Sequence, residues 1–370
     1  MASLSSHPLP PSALRDPALQ RIYERTPPSP KTEPVLESGP RVTSTPLPPS
    51  AAERLRHESG ARPRMLGERY ELTGYLDSGG TADVFTAIDR LSGALVAVKI
   101  LKPQALADAR LKHYFLQGAR GAQRVDHPNL VRVLEVVDPP DSASFAVMEI
   151  VQGSCLSTLL EGHRALAPSL VAELALQAAA GLDAAHRAGV VHCDVKPENM
   201  LVELPEGGAP RLKVIDFDLA ALDDEIETHE HPMLRGTAKY MAPEQVVGDR
   251  VDPRTDVYSL GVVMFRLLTG HLPFDLELCP TLLWHQFASP APPPSWLCDG
   301  LDPRLEAIVL RALRKAPDNR YPSMSLLVAD LRALELGGEL VAHGPFCEPD
   351  AYLPQSAAAR EAARAIARCV

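Results

Sequence analysis

The run His192-Cys193-Asp194-Val195-Lys196-Pro197-Glu198-Asn199, followed after a short apolar strand by Asp216-Phe217-Asp218, decides how this chain is read. Any one of these residues could match a known pattern by chance. An H-x-D-x-K-P-E-N run with an Asp-Phe pair behind an apolar strand is far more specific. The run lies near the middle of 370 residues, enough for one large two-lobed domain with extensions and an ample core.

The pattern changes character on either side of the run. Residues 70–76, 82–87 and 95–101 read as successive strands, 104–124 as a helix, and 130–137 and 144–149 as two further strands. After Gly153 the period becomes helical, with Leu170, Leu174, Ala178, Leu182 and Ala185 on one face of a long helix. Further helices are expected over 256–268, 303–314 and 324–336. Order is expected to begin near Arg69. Residues 1–65 are rich in Pro, Ser and Arg, with sparse apolar residues and no period, a composition that favours a disordered extension. Its segments Thr26-Pro27-Pro28-Ser29-Pro30 and Pro46-Leu47-Pro48-Pro49 read as a solvated spacer, or as docking sites for a Pro-reading module. At the other end, 337–370 forms a tail in which Arg360, Arg364 and Arg368 share one face of a short Ala/Arg helix.

The central run resembles the catalytic loop and metal-binding turn of the serine/threonine protein kinases, most closely the bacterial (Hanks-type) group. The resemblance covers about 69–336 and implies an α+β fold: a small antiparallel-sheet lobe over 69–150 and a larger helical lobe over 151–336. Phosphoryl transfer is mostly positioning and charge neutralisation, which explains these residue types. In the resemblance Asp194 is the catalytic base and Lys196 the cation that stabilises developing charge. Asn199 and Asp216 supply the hard oxygens suited to Mg2+. Leu76-Asp77-Ser78-Gly79-Gly80-Thr81-Ala82-Asp83-Val84-Phe85 resembles the glycine-rich loop that covers ATP phosphates, and Lys99 of Val96-Ala97-Val98-Lys99 resembles the phosphate anchor. Leu76, Gly79, Gly80, Val84 and Ala97 would line the nucleotide site, with Glu149 and Val151 of the hinge behind the gatekeeper Met148. Glu244 would pair with Arg320, Asp256 would anchor the catalytic loop, and Thr237 would bond the base.

The chain departs from the pattern at several places. Asp77 and Ala82 replace two loop glycines. Gly118 falls where the helix glutamate that holds the strand lysine belongs, and no Asp or Glu lies between Asp108 and Asp126. Gly118 and Gly121 each weaken that helix by about 1 kcal/mol relative to Ala. Cys193 replaces the arginine that reads activation-loop phosphorylation, and Thr228 is the only hydroxyl between Asp218 and Gly236. The chain is therefore expected not to depend on loop phosphorylation. Asp218 replaces the turn glycine; its carboxylate could pair with Lys99, join the metal site, or point outward.

The net charge of −10 argues against nucleic acid as a main partner. The six cysteines show no paired short spacing, and no signal peptide or apolar run of spanning length is present, so a cytoplasmic protein is expected. The leading reading is an ATP- and Mg2+-dependent kinase acting on Ser or Thr of protein substrates. The rival is a pseudokinase that binds nucleotide or serves as a scaffold. Transfer of AMP by a kinase-like fold would call for loss of the base, and Asp194 is present.

Overall fold

Alternation along Leu95–Leu101 sets the architecture of the first lobe. Val96 and Val98 face one side of a sheet, packing with Tyr70, Ala87, Phe145 and Val147, while Ala97, Lys99 and Leu101 face the other. The strands are β1 (Met65–Leu66), β2 (Tyr70–Ser78), β3 (Ala82–Asp89), β4 (Leu95–Leu101), β5 (Val133–Val137) and β6 (Phe145–Glu149). They form an antiparallel six-stranded sheet in the order β1-β2-β3-β4-β6-β5. The computed structural model describes residues 65–140, 142–161, 164–205, 207–217, 220–222, 237–274, 280–341, 354 and 360. The Pro-rich extension, Asp218, Thr228, the side chain of Thr237, and Arg364 and Arg368 of the tail lie outside the described residues.

The single helix expected over 104–124 is two helices, α1 (Pro103–Ala107) and α2 (Ala109–Gln123). Asp108 between them is extended, and its carboxylate accepts from Arg110 N at 2.9 Å and Leu111 N at 3.3 Å. A short acidic side chain satisfies the free N–H groups of a new helix better than it continues an old one. The strand expected from 130 starts at Val133. Leu130 instead bridges Val214, with Val131 N donating to Val214 O at 2.9 Å. The first described strand, β1, lies slightly before Arg69.

The second lobe is helical. After β7 (Ser154–Cys155) and α3 (Leu156–Leu159) comes α4 (Pro168–Arg187), whose Val171, Leu174, Ala178, Leu182 and Ala185 are buried. The short strands β8 (Val190–Val191), β9 (Met200–Glu203), β10 (Arg211–Val214) and β11 (Ala221–Leu222) carry the polar loops. β9 pairs with β7 and β10, and β8 with β11. The helices α5 (Pro243–Val247), α6 (Pro253–Thr269), α7 (Pro280–Ala288), α8 (Pro303–Ala312) and α9 (Met324–Glu335) complete the lobe. α6 is buried nearly all round; Asp252 caps its start and Gly270, at φ 76°, ends it in the left-handed region. Among the described residues no helix is long and apolar enough to cross a membrane.

Candidate active site

The catalytic loop follows β8 and hangs from a buried carboxylate on α6. Asp256 Oδ2 accepts from His192 N at 2.8 Å, and its Oδ1 accepts from Cys193 N at 2.9 Å. His186 Nε2, at the end of α4, lies 2.7 Å from Oδ2. Burial works against the Asp256 charge, but the His186 contact and the backbone donors outweigh it and hold the carboxyl below its ordinary range. Cys193 sits at φ 62°, a conformation that costs a side-chain-bearing residue about 1–3 kcal/mol, and the two successive N–H groups on one carboxylate offset that cost. The Cys193 side chain is buried with Val191 and Val251, and its carbonyl accepts from Gln245 Nε2 at 2.8 Å.

His192 joins this loop to the metal-type turn. Its Nδ1 accepts from Asp194 N at 3.2 Å, which leaves Nε2 to donate to Ile215 O at 3.0 Å. Its ring lies against Phe217, with centroids 4.6 Å apart. Asp194 and Asn199 then meet. Lys196 Nζ donates to Asp194 Oδ2 at 2.7 Å, and Asn199 Nδ2 donates to the same oxygen at 3.0 Å and to Asp194 O at 2.9 Å. The other oxygen, Asp194 Oδ1, is buried and has no hydrogen-bond partner among the described residues. Burial pushes this carboxyl above its ordinary range, with Lys196 acting in the opposite direction. A raised pKa and a free lone pair are what a proton acceptor needs.

Across the cleft, Lys99 Nζ lies 2.6 Å from Asp216 Oδ1, so the strand lysine and the turn carboxylate are brought together. The lysine is nearly buried, and the carboxylate remains one-third exposed. Gly118 on α2 presents bare backbone to the turn: a Cβ built there would stand 1.8 Å from Phe217 O. A side chain has no room at this position, so the carboxylate that meets Lys99 comes from the turn and not from α2. Of the remaining nucleotide-side residues, Ala97 lies buried on β4, opposite Thr86. Val84 is partly buried on β3, paired with Lys99, and Leu76 is exposed on β2. Gly79 and Gly80 form the bend between β2 and β3, where Gly79 N donates to Ala82 O at 2.9 Å. Glu149 ends β6, with Val151 just beyond it; the Glu149 carboxylate lies 2.6 Å from Lys213 Nζ.

One feature of this loop was not legible in the sequence. Lys102, just past β4, donates to Ser78 Oγ at 2.8 Å and to Gly79 O, while Ser78 Oγ donates to Asp83 Oδ1 at 2.6 Å. The Asp77 carboxylate, which would oppose phosphate, accepts from Ser78 N at 2.7 Å.

Asn199 and Asp216 would offer magnesium an amide oxygen and a carboxylate, hard donors of the kind that ion takes. Among the described residues no group of three or more His, Cys, Asp or Glu side chains could hold a metal by itself. Buried pairing supports the frame: Arg320 Nη1 and Nη2 donate to Glu244 Oε1 and Oε2 at 2.7 and 2.8 Å.

The chain belongs to the protein kinase domain family, whose model matches residues 70–327. It is 34% identical over 279 residues to serine/threonine-protein kinase PknB of Mycobacterium leprae, covering 74% of this chain and 44% of that protein. It is 33% identical to serine/threonine-protein kinase pkn3 of Myxococcus xanthus, covering 74% of this chain and 51% of that one. The chain thus spans about half the length of the curated relatives it matches. The crystal structure of the Mycobacterium tuberculosis PknI kinase domain has the same fold, with a TM-score of 0.57 at 24% identity over 74% of this chain and 98% of that one.

Proposed function

We propose that the domain over 69–336 transfers the terminal phosphoryl group of ATP to Ser or Thr hydroxyls of proteins, in the cytoplasm. The observation that carries this reading is Asp194: one oxygen is fixed by Lys196 and Asn199, and the other is buried with no hydrogen-bond partner among the described residues, a lone pair left over for an acceptor hydroxyl. Asp194 Oδ1 accepts the acceptor's proton while Lys196 stands beside the charge that develops. Lys99 would hold nucleotide phosphates, and Asn199 and Asp216 would hold magnesium, which when bound offsets phosphate charge.

The burial of Cys193 among Val191 and Val251 supports independence from loop phosphorylation, because no guanidinium stands at that position. Purified Thr228→Ala protein should then keep its rate; loss of turnover would remove this part of the reading. The main test is label transfer from γ-labelled ATP with magnesium to a general protein acceptor. Asp194→Asn should lower the rate about 10²–10⁴-fold. Equal label in both proteins would exclude Asp194 as base, and nucleotide binding with no label in either would favour a scaffold.

A further inference from the structure

The residue at the missing-glutamate position has a task of its own. Gly118 lies inside α2 and is buried, in a place where alanine would make the better helix. A Cβ there would meet Phe217 O at 1.8 Å, Phe217 C at 2.9 Å and Ala220 Cβ at 3.6 Å. The two nearest atoms are backbone, so no rotamer change relieves the contact; the turn and α2 would have to move apart. The carbonyl in this seat is also fixed from within, accepting from Ala220 N at 3.0 Å. The turn is held on its other flank by His192 Nε2 on Ile215 O at 3.0 Å and by the His192 ring against Phe217.

Between these two holds sits Asp216, at φ 67° although it bears a side chain. That backbone is strained and persists only where its surroundings determine it. It is also what aims the Asp216 carboxylate at Lys99, 2.6 Å away.

We propose that Gly118 is a positioning residue for the Asp216 carboxylate: its bare backbone seats the Phe217 carbonyl, and the seat sets the turn that presents Asp216 to Lys99 and to magnesium. The inference rests on the part of the proposed function that makes Asp216 and Asn199 the magnesium ligands. Its consequence is that one carboxylate serves two partners. Lys99 is held by the same group that would take the metal, so magnesium binding and the release of Lys99 toward phosphate are coupled.

The test is calorimetric titration of the whole chain with ATP, with and without magnesium, for wild type and Gly118→Ala. The ratio of the two affinities is a coupling factor. It should fall about tenfold in Gly118→Ala, while affinity without magnesium stays within about threefold, showing an intact fold. An unchanged ratio overturns the proposal, the more so if the melting temperature rises as helix propensity alone would make it. Should Gly118→Ala fail to fold, Ala220→Gly decides. It loosens the same turn without changing any residue of α2 and should lower the ratio at least about threefold; an unchanged ratio there overturns the proposal too. Turnover is measured separately. Magnesium-coupled ATP binding in wild type without phosphoryl transfer would sink the kinase reading and leave this one standing, whereas wild-type affinity indifferent to magnesium overturns this one.

Discussion

The helical and sheet sides of the cleft hold their functional groups by different means. On the helical side, Asp256 carries two backbone N–H groups of the catalytic loop from inside the buried helix α6, and Glu244 and Arg320 are joined by two buried hydrogen bonds. On the sheet side, Lys99 meets a carboxylate that belongs to the other lobe, and the glycine-bearing bend is clasped by Lys102 through exposed groups. Contacts of the first kind are fixed before any ligand arrives. Those of the second kind are weak enough, or shared enough, for a ligand to replace them. The catalytic loop is thus preorganised, while the phosphate side is left to be completed by what binds there.

The largest expected effect breaks the first kind of contact. Arg320 is fully buried and also donates to the carbonyls of Arg314, Arg254 and Lys315, so it cannot follow a lost partner into water. Glu244→Ala should cost about 3–5 kcal/mol of stability, read from chemical denaturation. A wild-type transition would show that the pair is not what holds α5 to the segment between α8 and α9.

Asp256→Asn comes next. The amide keeps one acceptor oxygen and loses the charge, so stability should fall by about 1.5–3 kcal/mol near neutral pH. The sign with pH follows from the direction of the shift. A carboxyl depressed in the folded state stabilises above its unfolded pKa, and that contribution is lost as pH falls through the folded value. The gap between wild type and Asp256→Asn should hold above about pH 5 and begin to narrow as pH falls below about 4. A gap that widens in acid would reverse the assignment of charge at this site.

These two networks were largely readable from the sequence, because their members sit in runs with a fixed register: His192 to Asn199, Asp256 on a helix of clear apolar period, and Glu244 and Arg320 in motifs of their own. The sheet side was less readable, for physical reasons. Asp108 looks like a helix-interior residue until its carboxylate is seen capping α2, since a cap and an interior position share the same neighbours. Gly118 reads locally only as a weak point in a helix. Its purpose is the carbonyl of Phe217, a contact between distant parts of the chain that no period encodes. α7, just before the Pro-rich stretch 290–294, has too short an apolar stretch to declare itself.

The smallest expected effect belongs to Lys102, and it sharpens the contrast most directly. The side chain is one-quarter exposed, and its partners Ser78 and Gly79 lie at the surface, so screening and side-chain entropy take back most of the attraction. Lys102→Ala should therefore leave global stability within about 1 kcal/mol of wild type. Its local effect should be visible, because the clasp is what ties the bend between β2 and β3 to the end of β4. Lys102 N donates to Thr81 O at 2.8 Å, and that amide and the Gly79 amide should exchange with solvent faster in the variant. If the clasp holds the bend ready for phosphate, the KM for ATP rises by up to about fivefold, the factor corresponding to about 1 kcal/mol, with little change in kcat. If the clasp instead holds the bend away from phosphate, KM falls. Unchanged exchange at both amides would mean that the sheet alone fixes the bend and that the two sides of the cleft differ less than their contacts imply.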